Sequence, residues 1–183
     1  MIITISGPIG SGKSSVAKLL AKKLKYKHHS TGDLMRQMAK EKKMTLEQLG
    51  DLAAKDFSID QELDERQKQL GKKEDNFVID GRLSFHFIPQ SLKIYLDADP
   101  TVRAKRVFQD LKNRPEEAET SLEKVLAKIK KRQKIEIKRY LKYYQLDHTD
   151  KRHYDLLLDT SEMPVAEVVD TIIRFVKNRL CRK

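Results

Sequence analysis

One cysteine, Cys181, stands in 183 residues, so no disulfide can form within the chain and a reducing compartment, the cytoplasm, is expected. Glycine and proline are sparse, at seven and five, which excludes collagen-like and low-complexity chains. Long hydrophobic runs are missing as well. Stretches such as Ile2-Ile3 and Leu156-Leu157-Leu158 fall far short of the ~20 apolar residues that cross a bilayer, so no membrane partner is expected. No basic segment leads into an apolar one at Met1, so no signal peptide is expected. Neither an internal repeat nor a Gly/Ser/Pro linker divides the chain. With 39% apolar residues, this length predicts one domain over 1–183 with a core that needs no disulfide.

Charge is what the chain has in excess. Lys and Arg number 38 against 27 Asp and Glu, a net +11, which suits anionic partners: nucleotides, nucleic acid or acidic lipid. Residues 121–145 hold nine Lys/Arg against two Glu. Taken alone, that run reads as a solvated helix face.

Ile2-Ile3-Thr4-Ile5-Ser6 reads as a buried strand, followed by glycines and then by Val16, Leu19, Leu20 and Leu24 at helical spacing. Further strands are predicted at 76–80, 92–97 and 154–158, with a weaker one at 28–30. Strands separated by helical segments imply βαβ units and a parallel sheet. Helix starts are marked by Asp99-Pro100, by Thr45 with Gln48 and Thr120 with Glu123 as capping boxes, and by Pro164. Residues 33–75 are polar and helical in pattern, too long for a plain crossover, and are expected to form a helical insertion that moves. A flexible flap is expected near 113–120.

Gly7-Pro8-Ile9-Gly10-Ser11-Gly12-Lys13-Ser14, with Ser15 next, fits the phosphate-binding pattern G-x-x-x-x-G-K-S between a strand and a helix. Such glycines let backbone N–H groups wrap a polyphosphate, and the helix start adds its positive dipole end. Lys13 is expected on the terminal phosphates of ATP and Ser14 on Mg²⁺. Asp80, closing a strand, is the candidate second Mg²⁺ ligand, and Asp33 is another carboxylate in reach of that site. A small GTPase is excluded because N-K-x-D is absent, and a helicase or AAA motor needs more chain.

Four further segments narrow the field: Ser30-Thr31-Gly32-Asp33-Leu34-Met35-Arg36, Asp80-Gly81-Arg82, Val102-Arg103-Ala104-Lys105-Arg106, and the series Arg132, Glu136, Arg139. With the loop they make the chain resemble the nucleoside monophosphate kinases nearly end to end, and among these the archaeal-type cytidylate kinases. The resemblance implies an α/β P-loop kinase fold, a parallel sheet flanked by helices, with an acceptor-binding insertion at about 33–75 and a short lid at about 107–120. It implies ATP as donor, CMP or dCMP as acceptor, and Mg²⁺. Ser30, Gly32, Asp33, Arg36, Arg82, Arg132, Glu136 and Arg139 would then bind the acceptor. Lys13, Arg82, Arg103 and Arg106 would neutralise the transferring group. Bacterial cytidylate kinases carry an Asp after D-G-R, whereas Leu83-Ser84 follows here, so base recognition does not carry over; Ser84, Gln61, Asp64 and Arg66 are candidates. AMP, UMP or dTMP remains an alternative acceptor.

Residues 132, 136 and 139 share one helix face, so two guanidinium forks flank a carboxylate. That arrangement can grip a phosphate while the acid meets a sugar hydroxyl. No general base is needed, because the attacking monophosphate oxygen is already anionic. His28 and His29 read as packed or exposed, and His86, His148 and His153 lack metal-ligand spacing. Tyr140, Tyr143 and Tyr144 read as packing, with base stacking a weaker option. A monomer is expected. A nucleotide-dependent RNA-binding module is the rival from another class, but no aromatic strand motif supports it, and no nucleic-acid partner is expected.

Overall fold

A computed structural model describes residues 1–111 and 121–180. Five strands, β1 (Ile2–Ser6), β2 (Lys27–Ser30), β3 (Phe77–Asp80), β4 (Leu92–Asp97) and β5 (Leu156–Asp159), form one parallel sheet in the order β2-β3-β1-β4-β5. The central strands are apolar along their length because a parallel sheet is covered on both faces.

One face is packed by α1 (Lys13–Leu24) and α8 (Val165–Leu180). Val16, Leu20, Val168, Val169, Ile172 and Val176 from these helices are buried against Ile3, Ile5, Ile94 and Leu96. Ile2, Phe77, Ile79 and Ile88 fill a second cluster with Leu70 packed on it. The four-residue helix α5 (Ser84–Phe87) follows β3 and leads to Ile88.

Three helices, α2 (Thr31–Glu41), α3 (Leu46–Ala53) and α4 (Ser58–Lys73), stand between β2 and β3. They have a core of their own, in which Met38, Ala39, Leu49, Ala53 and Ile59 are buried together. Thr45 and Gln48 make the expected capping box at the start of α3. On the other side of the chain, α6 (Pro100–Leu111) is capped by Asp99, whose Oδ1 accepts the Thr101 and Val102 N–H groups at 2.7 and 3.2 Å. The long α7 (Leu122–Tyr144) packs on α6 through Ala104, Val125 and Ile129. Two ion pairs tie it to the three-helix insertion, Lys128 to Glu47 at 3.2 Å and Arg139 to Asp60 at 3.2 Å.

Strand ends differ from expectation by a residue or two: β2 begins at Lys27 and β5 ends at Asp159. Asn76 turns at φ +56° before β3 begins, and a 3₁₀ turn at Lys151–His153 that closes on Tyr154 delays β5 to Leu156. The cap of α7 is Ser121, whose hydroxyl oxygen accepts the Lys124 N–H at 3.3 Å. Thr120 and the expected flap at 113–120 lie outside the described residues, as does the expected lid from residue 112 on, while its first residues, 107–111, are the end of α6. Among the described residues no helix is long and apolar enough to cross a membrane.

Candidate active site

Ligands in open parallel sheets bind beyond the carboxyl ends of the strands. Here β1, β2 and β3 end at Ser6, Ser30 and Asp80, and a cleft of about 750 Å³ opens above them. Its lining combines the loop after β1 with α2, α4, α6 and α7.

The loop is held by close backbone approaches. A Cβ on Gly7, at φ +142°, would stand 2.1 Å from the Leu96 carbonyl oxygen, and one on Gly10, at φ +80°, 2.5 Å from that of Arg103. Only glycine fits either place. Thr160, just past β5, donates its hydroxyl to the Ser11 carbonyl at 3.0 Å and so ties the loop to the sheet's far side. Lys13 donates to the Pro8 carbonyl at 2.7 Å. Burial, and then the neighbouring Arg82, push its ammonium down to about 7.

At the end of β3, Asp80 is a hub. Its Oδ2 accepts the Ser14 hydroxyl at 2.7 Å and the Ser30 hydroxyl at 3.2 Å, while Oδ1 lies 2.7 Å from His28 Nε2. Burial opposes its charge, but these bonds outweigh burial and hold the carboxyl below the ordinary range. An ionised carboxylate beside a hydroxyl is a hard oxygen set that fits Mg²⁺, which takes one or two carboxylates and completes its shell with phosphate and water. Among the described residues no group of three His, Cys, Asp or Glu could hold a metal alone. Asp33 is not part of this hub. It is exposed, and Arg36 Nη2 donates to it at 2.5 Å across one helical turn of α2.

The series on α7 forms a second hub. Glu136 takes Arg132 Nε at 3.0 Å on one oxygen and Arg82 Nε on the other. Burial works against the Glu136 charge, but Arg82, Arg132 and Arg139 outweigh it and keep the carboxyl below its usual range. Arg139 turns the other way, toward Asp60 at 3.2 Å and the Tyr140 ring. Thus Arg36, Arg82, Arg132 and Arg139 all line the cleft, each held by an acid.

The two arginines of α6 part company. Arg106 lines the cleft and donates to the Thr160 hydroxyl at 3.0 Å and the Thr160 carbonyl at 2.5 Å. Arg103 is not brought to the cleft. It is buried, with Nε on the Ala98 carbonyl at 3.0 Å and Nη1 on Gln133 at 3.4 Å, because its guanidinium fills the gap between α6 and α7.

Of the residues considered for the base, Asp64 lines the cleft, whereas Arg66 pairs with Glu62 on α4. Ser84 is fully buried and donates to Gln67 at 2.8 Å, and Gln61 lines an adjoining cavity of about 780 Å³ that shares Asp64 and Tyr144 with the cleft. Tyr143 stacks on Phe57 with centroids 4.3 Å apart, while the Tyr144 hydroxyl donates to Asp64.

Residues 2–162 match the model of the cytidylate kinase-like family. The chain belongs to that family. It is 41% identical to the cytidylate kinase of Methanosphaerula palustris, over 92% of this chain and 93% of that one. It is 37% identical to the cytidylate kinase of Archaeoglobus fulgidus, over 97% and 95%. Among solved structures, an uncharacterized protein from Eubacterium ventriosum is similar at TM-score 0.72 and 22% identity, covering 97% of this chain and 98% of that one. Shikimate kinase from Aquifex aeolicus is similar at TM-score 0.60 and 22% identity, covering 98% of each chain. These two likenesses show the fold alone, a parallel sheet flanked by helices.

Sequence reasoning missed four residues around this site: His28 on Asp80 and Thr160 under the loop, which carry no local signal, and Asp60 and Gln67 in the cleft wall, which do. His28 and Asp80 are 52 positions apart, and Thr160 and Ser11 149 apart, so only the folded sheet brings them together. Helical spacing could have raised Asp60, Asp64 and Gln67 as one set, at i, i+4 and i+7 of a polar helix.

Proposed function

We propose that this protein is a cytidylate kinase that moves the γ-phosphoryl group of ATP to CMP or dCMP, giving ADP and CDP or dCDP. One observation carries the reading: the phosphate loop with Lys13, the Ser14–Asp80 pair, and four acid-held arginines share a single cleft. A kinase joining two nucleotides must gather several negative charges in one place, and this cleft supplies the opposing charge. Family membership sets the acceptor class.

In this reading the loop from Gly7 to Ser15 holds the ATP phosphates through its backbone N–H groups. Lys13 meets the terminal phosphates. Ser14 and Asp80 would hold Mg²⁺, which when bound supplies charge neutralisation between the phosphates. Ser30, Gly32 and Arg36 at the start of α2, with Asp33 positioning Arg36, take the acceptor's phosphate together with Arg82 and Arg132. Glu136 holds those two guanidiniums at the cleft, and its remaining lone pairs serve a ribose hydroxyl. Arg139 completes the wall beside them.

Transfer needs little covalent help from the protein. The attacking phosphate oxygen is already anionic, so positioning and charge stabilisation dominate. Arg106, fixed by Thr160 at the mouth of the loop, is the α6 group placed to meet the transferring phosphoryl. Arg103 in this arrangement braces α6 against α7, and it reaches the phosphates only if α6 turns. The separate small core of α2–α4 allows that insertion to close as a unit and exclude water.

A coupled assay of ADP release across CMP, dCMP, UMP, AMP and dTMP tests the proposal. CMP should be turned over with the highest kcat/KM. Rapid turnover of AMP with negligible turnover of CMP would overturn it.

A further inference from the structure

Asp60, Asp64 and Gln67 project from one side of α4 into the cleft, although each is less than a tenth exposed. Buried polar groups are normally hydrogen-bonded. Here Asp60 Oδ2 and Arg139 Nε face each other at 3.2 Å, too poorly aligned to bond, and among the described residues neither atom has a hydrogen-bond partner. The other two have one fixed end each. Asp64 Oδ2 accepts the Tyr144 hydroxyl. Gln67 Oε1 accepts the Ser84 hydroxyl at 2.8 Å, and among the described residues its Nε2 has only a long contact of 3.4 Å to the Leu63 carbonyl. One amide hydrogen of Gln67 is therefore left to give.

These fixed ends set an order of donors and acceptors. Because Tyr144 donates to Oδ2, a neutral Asp64 carries its proton on Oδ1. The wall then presents an acceptor (Asp64 Oδ2), a donor (Asp64 Oδ1–H) and a second donor (Gln67 Nε2–H). Cytosine presents the complement along one edge: the N4 amino donor, then the N3 and O2 acceptors. Uracil reverses the first two, with an O4 acceptor and an N3–H donor.

We propose that Asp64 and Gln67 read this edge of the acceptor's cytosine, with Tyr144 as the positioning residue that decides which Asp64 oxygen accepts. The proposal rests on CMP being the acceptor. It puts the groups that meet the base on the insertion helix, with Ser84 acting only by fixing the Gln67 amide.

The protonation state of Asp64 agrees with this geometry. Burial is the main cause that lifts its carboxyl to about 7, with Asp60 adding to it, against the Tyr144 bond, Lys68 and Arg139. His86 of α5 and Tyr140 of α7 pack on the Tyr144 ring. At and below neutral pH the neutral acid is therefore populated.

The test is kcat/KM for CMP and for UMP between pH 6 and 8.5, in the wild type and three variants. Lys13 and the phosphate-binding arginines serve both acceptors, so their titration cancels in the CMP/UMP ratio. In the wild type the ratio should fall as pH rises through about 7, because ionised Asp64 accepts uracil N3–H and repels cytosine N3. Asp64→Asn, with the same acceptor and donor order and no titration, should keep the pH 6 ratio within a few-fold and hold it flat. Tyr144→Phe keeps the ring contacts and should lower the pH 6 ratio about tenfold, the worth of one well-formed hydrogen bond. Gln67→Leu should raise KM for both pyrimidines and leave the ratio alone, since both carry O2.

An unmoved ratio in Tyr144→Phe, or a wild-type pH profile in Asp64→Asn, overturns the inference while leaving the kinase reading intact. If Tyr144→Phe does not fold, the flat or sloping profile of Asp64→Asn decides. A wild type that turns over AMP and ignores CMP overturns the kinase reading and this inference with it.

Discussion

Replacing Glu136 by Gln should cost stability and shift it in a way that reports on the arginines. The carboxylate holds two guanidiniums, but the two halves differ in exposure. Arg132 is 48% exposed at its side chain, and such a pair contributes only about 0.3–0.5 kcal/mol. Arg82 and Glu136 are 17% and 7% exposed, so removing the acid strands a largely desolvated cation. Breaking a buried pair from one side costs about 3–5 kcal/mol, and an isosteric amide that still accepts a bond falls at the low end, about 3 kcal/mol. For a chain of this size each kcal/mol moves Tm by roughly 2–4 °C, so a fall of roughly 6–12 °C is expected at pH 7. The pH dependence has a definite sign. The folded carboxyl sits below its unfolded value of 4.5, so its contribution is present above that value and is lost as pH falls through the folded pKa. The gap between wild type and variant should be full at pH 6–8 and close in acid. Saturating CMP should narrow it too, because the acceptor phosphate then neutralises Arg82 and Arg132. Thermal unfolding followed by circular dichroism measures all three. An unchanged Tm at pH 7, or a gap that persists undiminished into acid, would refute the reasoning.

Other consequences can be checked separately. Lys13, held at about 7, is mostly neutral at pH 8, and an arriving polyphosphate should protonate it. Calorimetry of an ATP analogue in buffers of different ionisation enthalpy should show proton uptake at pH 8 that vanishes at pH 6 and in Lys13→Met; buffer-independent heats at pH 8 would contradict this. Gly10→Ala forces a Cβ to 2.5 Å from the Arg103 carbonyl at φ +80° and should destabilise by at least ~1–2 kcal/mol, with ATP affinity falling more than CMP affinity. Equal losses for both nucleotides would place the damage elsewhere. Asp80→Asn should raise the Mg²⁺ concentration for half-maximal rate while leaving CMP binding within a few-fold; an unchanged Mg²⁺ requirement would remove Asp80 from the metal site.

The sheet was legible because its central strands are short apolar runs with no competing helical period. β1 and β4 occupy the expected residues, Ile2–Ser6 and Leu92–Asp97. β2, Lys-His-His-Ser at the sheet edge, carries no such pattern, and only its place between a helix and the Ser30 turn hinted at it. The phosphate loop was legible because its glycines answer to backbone geometry that only glycine satisfies. Asp80 was legible as a strand-ending carboxylate. Arg103 shows the limit. Its spacing from Arg106 puts both near one face of α6, yet one guanidinium reaches Thr160 and the other turns inward to Ala98, a choice made by the packing of α7. The helical spacing shows Glu136 beside Arg132, but its second partner, Arg82, comes from 54 positions earlier through the fold alone. Contacts of that range leave no trace in local pattern.

Simultaneous occupancy of the cleft by both nucleotides is best tested by titrating CMP into protein saturated with Mg²⁺ and a non-hydrolysable ATP analogue. A single CMP should bind without displacing the analogue, and Arg132→Ala should weaken CMP while sparing the analogue. Mutual displacement of the two nucleotides would contradict simultaneous occupancy.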